Sequence, residues 1–304
     1  MRLALITPSF SRDHPLCVDL CRSIDTYLAD DIEHVLIVPE ADKALFAPLA
    51  GPRRRIMTDE EVLPTTLWKL PLPTRIGIPG VWHKRIRTLY LTPKLRVTRG
   101  WLIQQVVKMS AHRVSDAEGF VFVDSDIAFV RPFGTDTFVR DGKLRFLYEP
   151  DCIYQWVDQY TRWQDVACDL LGIDRFPFAN DNYIGAGICW RRDRLAEVRD
   201  RIEATAGRPY HEVLLGQTSF AEYVIYGTYC RHVIKGDTGH YETPRSFCLG
   251  DWVFDTSDPA GYSAFVNGLA DDHVAVLIQS TNEWPTERRR AAIDAIRQNA
   301  GLAA

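Results

Sequence analysis

Phe120-Val121-Phe122-Val123-Asp124-Ser125-Asp126 is an apolar run that ends on two aspartates one residue apart. The four apolar residues read as a central strand covered on both faces. Residues i and i+2 of a strand point to the same side. Two carboxylates on one side of a strand's carboxyl end can share a divalent cation, and hard oxygen ligands suit Mg²⁺ or Mn²⁺. The competing reading makes Asp124 and Asp126 ordinary turn formers that end a strand.

Working outward, the first half alternates short apolar runs with helical patterns, as a parallel α/β sheet does. Leu3 to Thr7 is a first strand, with Ser9 to Asp13 as the loop at its carboxyl end. A helix follows over Leu16 to Leu28, with Leu16, Leu20, Ile24 and Leu28 on one side. His34 to Val38 is a second strand and Lys43 to Leu49 a short helix. From Pro64 to Arg96 the pattern is lost among five prolines, which marks an insertion or an irregular region. Gly100 to His112 reads as a helix with Trp101, Leu102, Val106 and Met109 inward and Gln104, Lys108 and His112 as a polar stripe. Past the aspartates, Ile127 to Val130 continues as strand, Leu144 to Tyr148 is another, and Cys152 to Leu171 is an amphipathic helix. Gly185 to Trp190 is a strand entered through glycines, where a ligand or another backbone can approach closely. Helices are expected over Asp193 to Ala204 and Ser219 to Gly227, a late strand over Val274 to Ile278, and a last helix over Thr286 to Asn299.

The chain has 304 residues, enough for one large α/β unit. A hydrophobic share of 46% and a charged share of 25% describe a soluble globular protein. A net charge of −4 gives no electrostatic case for nucleic acid. Met1 to Pro8 is too short and too soon broken by proline to act as a signal peptide. No apolar stretch reaches the ~20 residues of a membrane span. The seven cysteines include no Cys-x-x-Cys, which disfavours a zinc knuckle or a disulfide framework and fits a reducing cytoplasm. Cys17 and Cys21, four apart, read as core residues. No repeat or linker interrupts residues 1–304, so one domain is expected, and the sequence leaves its oligomeric state open.

The order of aspartate strand, glycine-led strand and acid-bearing helix resembles the nucleotide-sugar glycosyltransferases of the GT-A fold. Four segments are similar to an uncharacterised bacterial family: Gly100 to Ala111, Phe122 to Asp126, Glu222 to Tyr229 and Val274 to Ser280. The resemblance implies a mixed, mainly parallel sheet flanked by helices, with residues 1–150 binding a nucleoside-diphosphate sugar. Residues 151–304 would bind the hydroxyl-bearing acceptor, a surface polysaccharide or a small natural product, and complete the catalytic site. It further implies that Asp124 and Asp126 hold Mn²⁺ or Mg²⁺ on the donor diphosphate, with Asp124 also able to act through ribose or water. A cation there stabilises the leaving diphosphate as a Lewis acid.

The donor site extends by the same resemblance to Ser125, to Gln105 and Lys108 on the helix, and to Thr7, Ser9 and Asp13 in the first loop. Lys108 equally suits an exposed helix face, and Asp13 equally suits a helix cap. Glu222 stands where an inverting enzyme places its base, while a first-turn acid favoured by the helix dipole is the plainer account. Asp181 is the rival base, or a ligand for sugar hydroxyls; a retaining mechanism stays open. His240, in a glycine-flanked loop, is the candidate third metal ligand, with His273 its competitor and a structural histidine the alternative. Trp68, Trp82, Tyr183, Trp252 and Trp284 are candidates for an acceptor groove, though each can equally fill a core.

Three other readings compete. One is a nucleotidyltransferase that makes nucleotide sugars, which normally begins with a glycine-rich triphosphate loop, whereas this chain has Pro8 to Arg12 with no glycine. A haloacid-dehalogenase-type phosphatase also carries two aspartates after a strand, and Lys235, Asp237, Asp271 and Asp272 can mimic its later motifs. Against it, Ala128 stands where a Thr or Val is normal, and several elements precede the aspartate strand. A non-catalytic sugar-nucleotide-binding protein would keep the fold without needing both aspartates and a base.

Overall fold

β1 (Leu3–Pro8) is buried along its whole length because the sheet runs past it on both sides and helices cover both faces. The computed structural model describes residues 1–29, 32–72, 75–78, 82–85 and 88–302, with backbone alone for 75–78 and 82–85. After α1 (His14–Tyr27), which starts with Pro15 in its first turn, come β2 (Glu33–Val38) and β3 (Arg54–Thr58). α2 (Gly100–Met109) leads to β4 (Gly119–Phe122), and β5 (Ile127–Phe129) follows the aspartates. The second half supplies β6 (Lys143–Leu147), α3 (Val157–Leu171), β7 (Ile188–Arg191), α4 (Arg192–Ala206), α5 (Glu222–Thr228), β8 (His240–Thr243), β9 (Cys248–Gly250), β10 (Ala275–Leu277) and α6 (Thr286–Asn299).

The main sheet has the order β7-β4-β1-β2-β3. β1, β2, β3 and β4 are mutually parallel, and only edge strand β7 runs the other way. It is the mixed, mainly parallel sheet expected. On one face, Ala4, Ile6 and Phe120 pack with Leu102 and Val106 of α2 and with residues of α3 and α5. On the other, Leu3, Leu5 and Val121 pack with Leu20 and Ile24 of α1. Trp190 of β7 is 1% exposed. It stacks on Tyr226 at 4.9 Å and meets Phe122 edge-on at 4.7 Å. Truncating so buried an aromatic costs about 3–5 kcal/mol.

The Asp-x-Asp segment is where the chain crosses from this sheet to another. Val123 N–H still donates to Ile6 O at 3.0 Å, and Ile127 N–H then turns back to Asp124 O. β5 pairs antiparallel with β10, which pairs parallel with β9. Asp126 therefore sits beside the carboxyl ends of β9 and β10.

Several expectations need correction. Arg54 to Thr58, unassigned from its arginine-rich sequence, is an edge strand. The helix expected from Cys152 begins only at Val157, because Trp156 is left-handed at φ 61° and exposed. Trp101, expected inward, is 48% exposed; Trp163 fills the core beneath it, ring centroids 6.2 Å apart. The stretch 64–96 holds short antiparallel strands at Trp68–Lys69 and Leu89–Leu91, extended by Val97–Arg99, and a hairpin of Arg75–Ile78 with Trp82–Arg85. The side chain of Trp82, with Pro73 and Pro79, lies outside the described residues. At Gly187 (φ +71°) a Cβ would sit 1.8 Å from the Phe247 ring, so the close approach expected at this strand is made by a packed side chain.

Candidate functional site

Lys108 joins three of the residues singled out in sequence. It lies late in α2, and a helical side chain leans toward its own amino terminus, which here carries the ammonium up to the carboxyl end of β4. Nζ stands 3.4 Å from Asp124 Oδ1, 3.4 Å from Glu222 Oε1 and 2.5 Å from Tyr223 Oη. Lys108 and Glu222 side chains are each 6% exposed, whereas Asp124 is 43% exposed. Lys108 is thus no surface residue, and its ammonium is surrounded by protein oxygens. Burial alone would lower its pKa, but Asp124, Tyr223 and Glu222 outweigh that and raise it well above the usual lysine value. Burial pushes the Glu222 carboxyl up, with Lys108 pulling the other way.

Glu222 opens α5, and Gln105 of α2 fixes that end: its Oε1 accepts the Glu222 backbone N–H at 3.1 Å. Gln105 Nε2 is buried with no hydrogen-bond partner. Asp126 is held by the loop after β10. Its Oδ2 accepts from Ser280 N–H at 2.9 Å, while Oδ1 is buried and unpartnered, as is Asp124 Oδ1 apart from its ion pair. Burial and the neighbouring Asp124 push the Asp126 carboxyl up to about 6. Beneath it, Arg289 of α6 donates to Ile278 O at 2.5 Å and to Asp126 O. Ser125, between the aspartates, is buried.

Asp126 Oδ1 is the feature that a divalent cation fits: a hard, buried acceptor without a donor, at the carboxyl edge of a sheet. Among the described residues no group of three or more His, Cys, Asp or Glu side chains is placed to hold a metal ion.

The first loop comes to the same edge, since Arg12 Nη2 reaches Ser280 O at 3.4 Å. Its candidate ligands fare differently. Thr7 is fully buried and its hydroxyl is held by His34 Nε2 at 3.0 Å, in a chain that runs on to Arg54 and Asp25. It has no free face for a ribose. Ser9 is buried, with its hydroxyl beside the Cys17 thiol. Asp13 occupies the cap position of α1 without bonding the helix through its side chain.

Three candidates lie elsewhere. His240 pairs with Leu144 in the β6–β8 ladder, and Gly239 O accepts from Arg191. Arg191 stands opposite Gly119, so His240 is at the amino end of β4, away from the aspartates. Both its ring nitrogens are engaged, Nε2 with Tyr226 Oη at 2.7 Å and Nδ1 with Leu144 O at 3.1 Å. His240 is a structural histidine and no metal ligand. His273 precedes β10, whose other end faces Asp126. Asp181 adjoins Tyr148, Tyr183 and His232 and is not among the partners of Lys108. The acids of the phosphatase reading are also engaged apart from the site, Asp237 with Lys143 and Asp272 with Arg245.

Of the aromatic candidates, Tyr183 is buried against Phe146 and Gly227, and Trp284 packs with Tyr262 under Arg288. Trp68 and Trp252 are exposed, and so is Trp101, expected inward. A further buried acid, unremarked in the sequence, is Asp251, 2% exposed at the end of β9. Phe247-Cys248-Leu249-Gly250-Asp251 repeats in brief the pattern of an apolar strand ending on an aspartate, the one signal that could have found it.

A concavity of about 670 Å³ lies at the opposite edge, among Arg2, Glu33, Arg55, His112 and Arg113. It shares no residue with the Lys108 cluster, and in open α/β sheets ligands bind at the carboxyl ends of the strands. We place the site at Lys108 on that ground. No helix among the described residues is long and apolar enough to cross a membrane. All seven cysteines are unbridged.

Among solved structures, an active-site mutant of LgtC is similar over 96% of this chain and 95% of its own, with 12% identity and a TM-score of 0.46. Galactosyltransferase LgtC in complex with donor and acceptor sugar analogs is similar over the same shares, with 11% identity and a TM-score of 0.44. No protein of curated function matches the sequence. The model of DUF6492, a family of unknown function, matches residues 3–298, and the chain belongs to that family.

Proposed function

We propose that this protein is a glycosyltransferase of the GT-A type, moving a sugar from a nucleoside-diphosphate donor to a hydroxyl of an acceptor. The observation that carries the reading is the meeting of Lys108, Asp124 and Glu222 at the end of β4, beside an Asp126 whose inner oxygen has no donor. Asp124 and Asp126 would hold Mn²⁺ or Mg²⁺, which supplies charge to a leaving diphosphate.

The chain's own residues divide the remaining work. Lys108 acts as a positioning residue, since its ammonium is enclosed by Asp124, Glu222 and Tyr223 rather than turned to solvent. It keeps Asp124 near the strand end and holds a counter-charge beside Glu222. Glu222 takes the acceptor proton: burial raises its pKa toward the range in which a carboxylate is an effective base, and Gln105 fixes the helix end that carries it. Ser9, in the first loop that reaches the same edge, is the residue there assigned to the donor. Trp101 lies at the start of α2, on Trp163, whose Nε1–H donates to Ser219 three residues before Glu222. We assign its exposed face to the acceptor.

The test is thermal unfolding with UDP or GDP, with and without Mn²⁺, since a ligand for the native state at a hundredfold its Kd stabilises by about 2.7 kcal/mol. Wild type is expected to show a Mn²⁺-dependent shift. Asp126→Asn should lose it while unfolding normally without ligand, because an amide oxygen can still accept from Ser280. Glu222→Gln should keep the shift and lose transfer. Absence of any nucleotide response in wild type would remove the reading.

A further inference from the structure

We propose that the acceptor is a chain of sugars, bound along an aromatic strip that runs from Trp101 over α3 to Trp156 and Tyr154. The inference rests on the function proposed above and deepens it by naming the acceptor class.

Placement comes first. β6 lies beside β7, at the border of the main sheet. Leu144, near its start, lies against Gly119 at the amino end of β4, and Leu147, its last residue, against Gly185 just before β7. Ile188 of β7 pairs with Phe122 at the carboxyl end of β4. The loop after β6 therefore leaves the fold at the Asp124 edge, on the β7 flank. The first loop follows β1, on the other flank of β4. One flank is thus left for the acceptor when the donor takes the other.

The loop after β6 is both pinned and strained. Glu149 and Asn182 exchange backbone hydrogen bonds at 3.1 and 2.9 Å, and Asn180 Nδ2–H donates to Asp151 Oδ1 at 2.6 Å. Asp151, Trp156 and Asn180 have φ of 49°, 61° and 60°. Asp and Asn tolerate the left-handed region, but a tryptophan there is an outlier. The strain holds a ring in water: Trp156 is 73% exposed, and Tyr154, whose hydroxyl donates to Asp151 O, is 76% exposed. Packing gains little from rings so placed, and strain of this kind is kept where it serves a ligand.

The aromatic path is continuous. Trp156 caps α3, and Tyr160 and Trp163 follow at spacings that share a helix face. Tyr160 meets Trp163 at 5.1 Å between centroids, and Trp163 carries Trp101. Trp156 and Trp163 are separated by about 10 Å of helix rise, more than one sugar ring covers. Asp151 and Gln155 are exposed among these aromatics. Apolar ring faces interleaved with acids and amides match a sugar chain, which presents C–H faces and hydroxyls in turn. A lipid surface would leave the polar groups unmatched.

The experiment binds the labelled full chain to an array of bacterial polysaccharide fragments graded from disaccharides to long chains. Wild type should hold some long chains about tenfold more tightly than their own disaccharides. Trp156→Asn should lose that gain yet unfold at no lower temperature, because asparagine accepts the left-handed backbone and the ring lies mostly in water. Its Mn²⁺-dependent shift with UDP or GDP should stay intact. No length dependence in wild type overturns the extended acceptor, while an intact nucleotide shift keeps the glycosyltransferase reading. Absence of any nucleotide shift in wild type removes both. Length dependence kept in Trp156→Asn, or a variant less stable than wild type, makes the ring a structural one and overturns the proposal. So does binding to phospholipid vesicles, or self-association in sedimentation, that Trp156→Asn abolishes, since the strip would then serve a membrane or a second copy.

Discussion

Replacing Lys108 by methionine isolates the interaction that holds the site together. Its ammonium is 3.4 Å from Glu222, both side chains nearly sealed from water. At an effective dielectric of about 20 the attraction is roughly 5 kcal/mol before desolvation is subtracted. Removing one member of a buried pair costs about 3–5 kcal/mol, because the other is left as an uncompensated charge. Asp124, much more exposed, adds little after solvent screening. Lys108→Met should therefore lose about 3–5 kcal/mol in urea unfolding near pH 7.5. The loss has a ceiling, since Glu222 can take a proton. Its folded pKa is already raised by burial and rises further without the lysine. A carboxyl with a raised folded pKa destabilises as pH climbs through the window above its unfolded value. The penalty should shrink when the measurement is repeated near pH 5. Adding Glu222→Gln removes the stranded charge, so the double variant should recover about 2 kcal/mol or more relative to additivity. A loss below about 1 kcal/mol that is independent of pH and additive with Glu222→Gln would show that the pair is not buried as described.

His240 makes a second, independent pH prediction. Burial lowers its pKa to about 4 from 6.5, so the unfolded chain takes up a proton that the native state refuses. Stability should fall as pH drops from 6.5 toward 4, by about 3 kcal/mol in full (2.5 pH units at about 1.4 each). Urea unfolding of His240→Gln should lack this part of the acid slope, and an unchanged slope would assign it to other groups. Trp101→Ala should leave stability and nucleotide binding nearly unchanged, the ring being half exposed, and raise the acceptor KM about tenfold, from the 0.5–1.5 kcal/mol and contact area of an aromatic platform. An unchanged acceptor KM would place the acceptor elsewhere.

The strands that carry the site were legible because they are apolar and short, and because the turn chemistry at their ends is distinctive. β1, β2 and β4 each end on a visible change from buried aliphatics to polar residues. β3 was not, since Arg54 and Arg55 break the apolar pattern; Arg54 is nonetheless buried, its charge met by Asp25 and by His34 from α1 and β2. Lys108 was half legible. Its position on α2 was clear, but helical periodicity marks a lysine as solvent-facing, and only partners far along the chain, Asp124 and Glu222, make its burial tolerable. Trp101 was misread for the opposite reason: hydrophobic periodicity expects an aromatic inside, and nothing local shows that Trp163 already fills that space. His240 drew attention by its glycine-flanked loop. What fixes it is Tyr226, whose hydroxyl receives Arg191 N–H at 2.9 Å and pairs with the ring, a network assembled from three separate segments.

That last contrast explains why the acids of the site come from both halves of the sequence. A carboxylate can stay buried only where donors or charges converge, and a single loop rarely supplies enough of them. Here Lys108, Asp124 and Asp126 come from the segment before residue 150, and Glu222, Ser280 and Arg289 from the segment after it. The Asp-x-Asp turn is the hinge between the two because it joins the main sheet to the β5–β10–β9 sheet. Arg289, reaching up from the last helix to the carbonyls of Asp126 and Ile278, ties that turn to the strand opposite. Neither half can form the site alone, since each holds the charges that make the other half's buried groups bearable. Loss of α6 should therefore disturb the Asp126 turn as surely as loss of an aspartate, because Arg289 holds the carbonyls of Asp126 and Ile278.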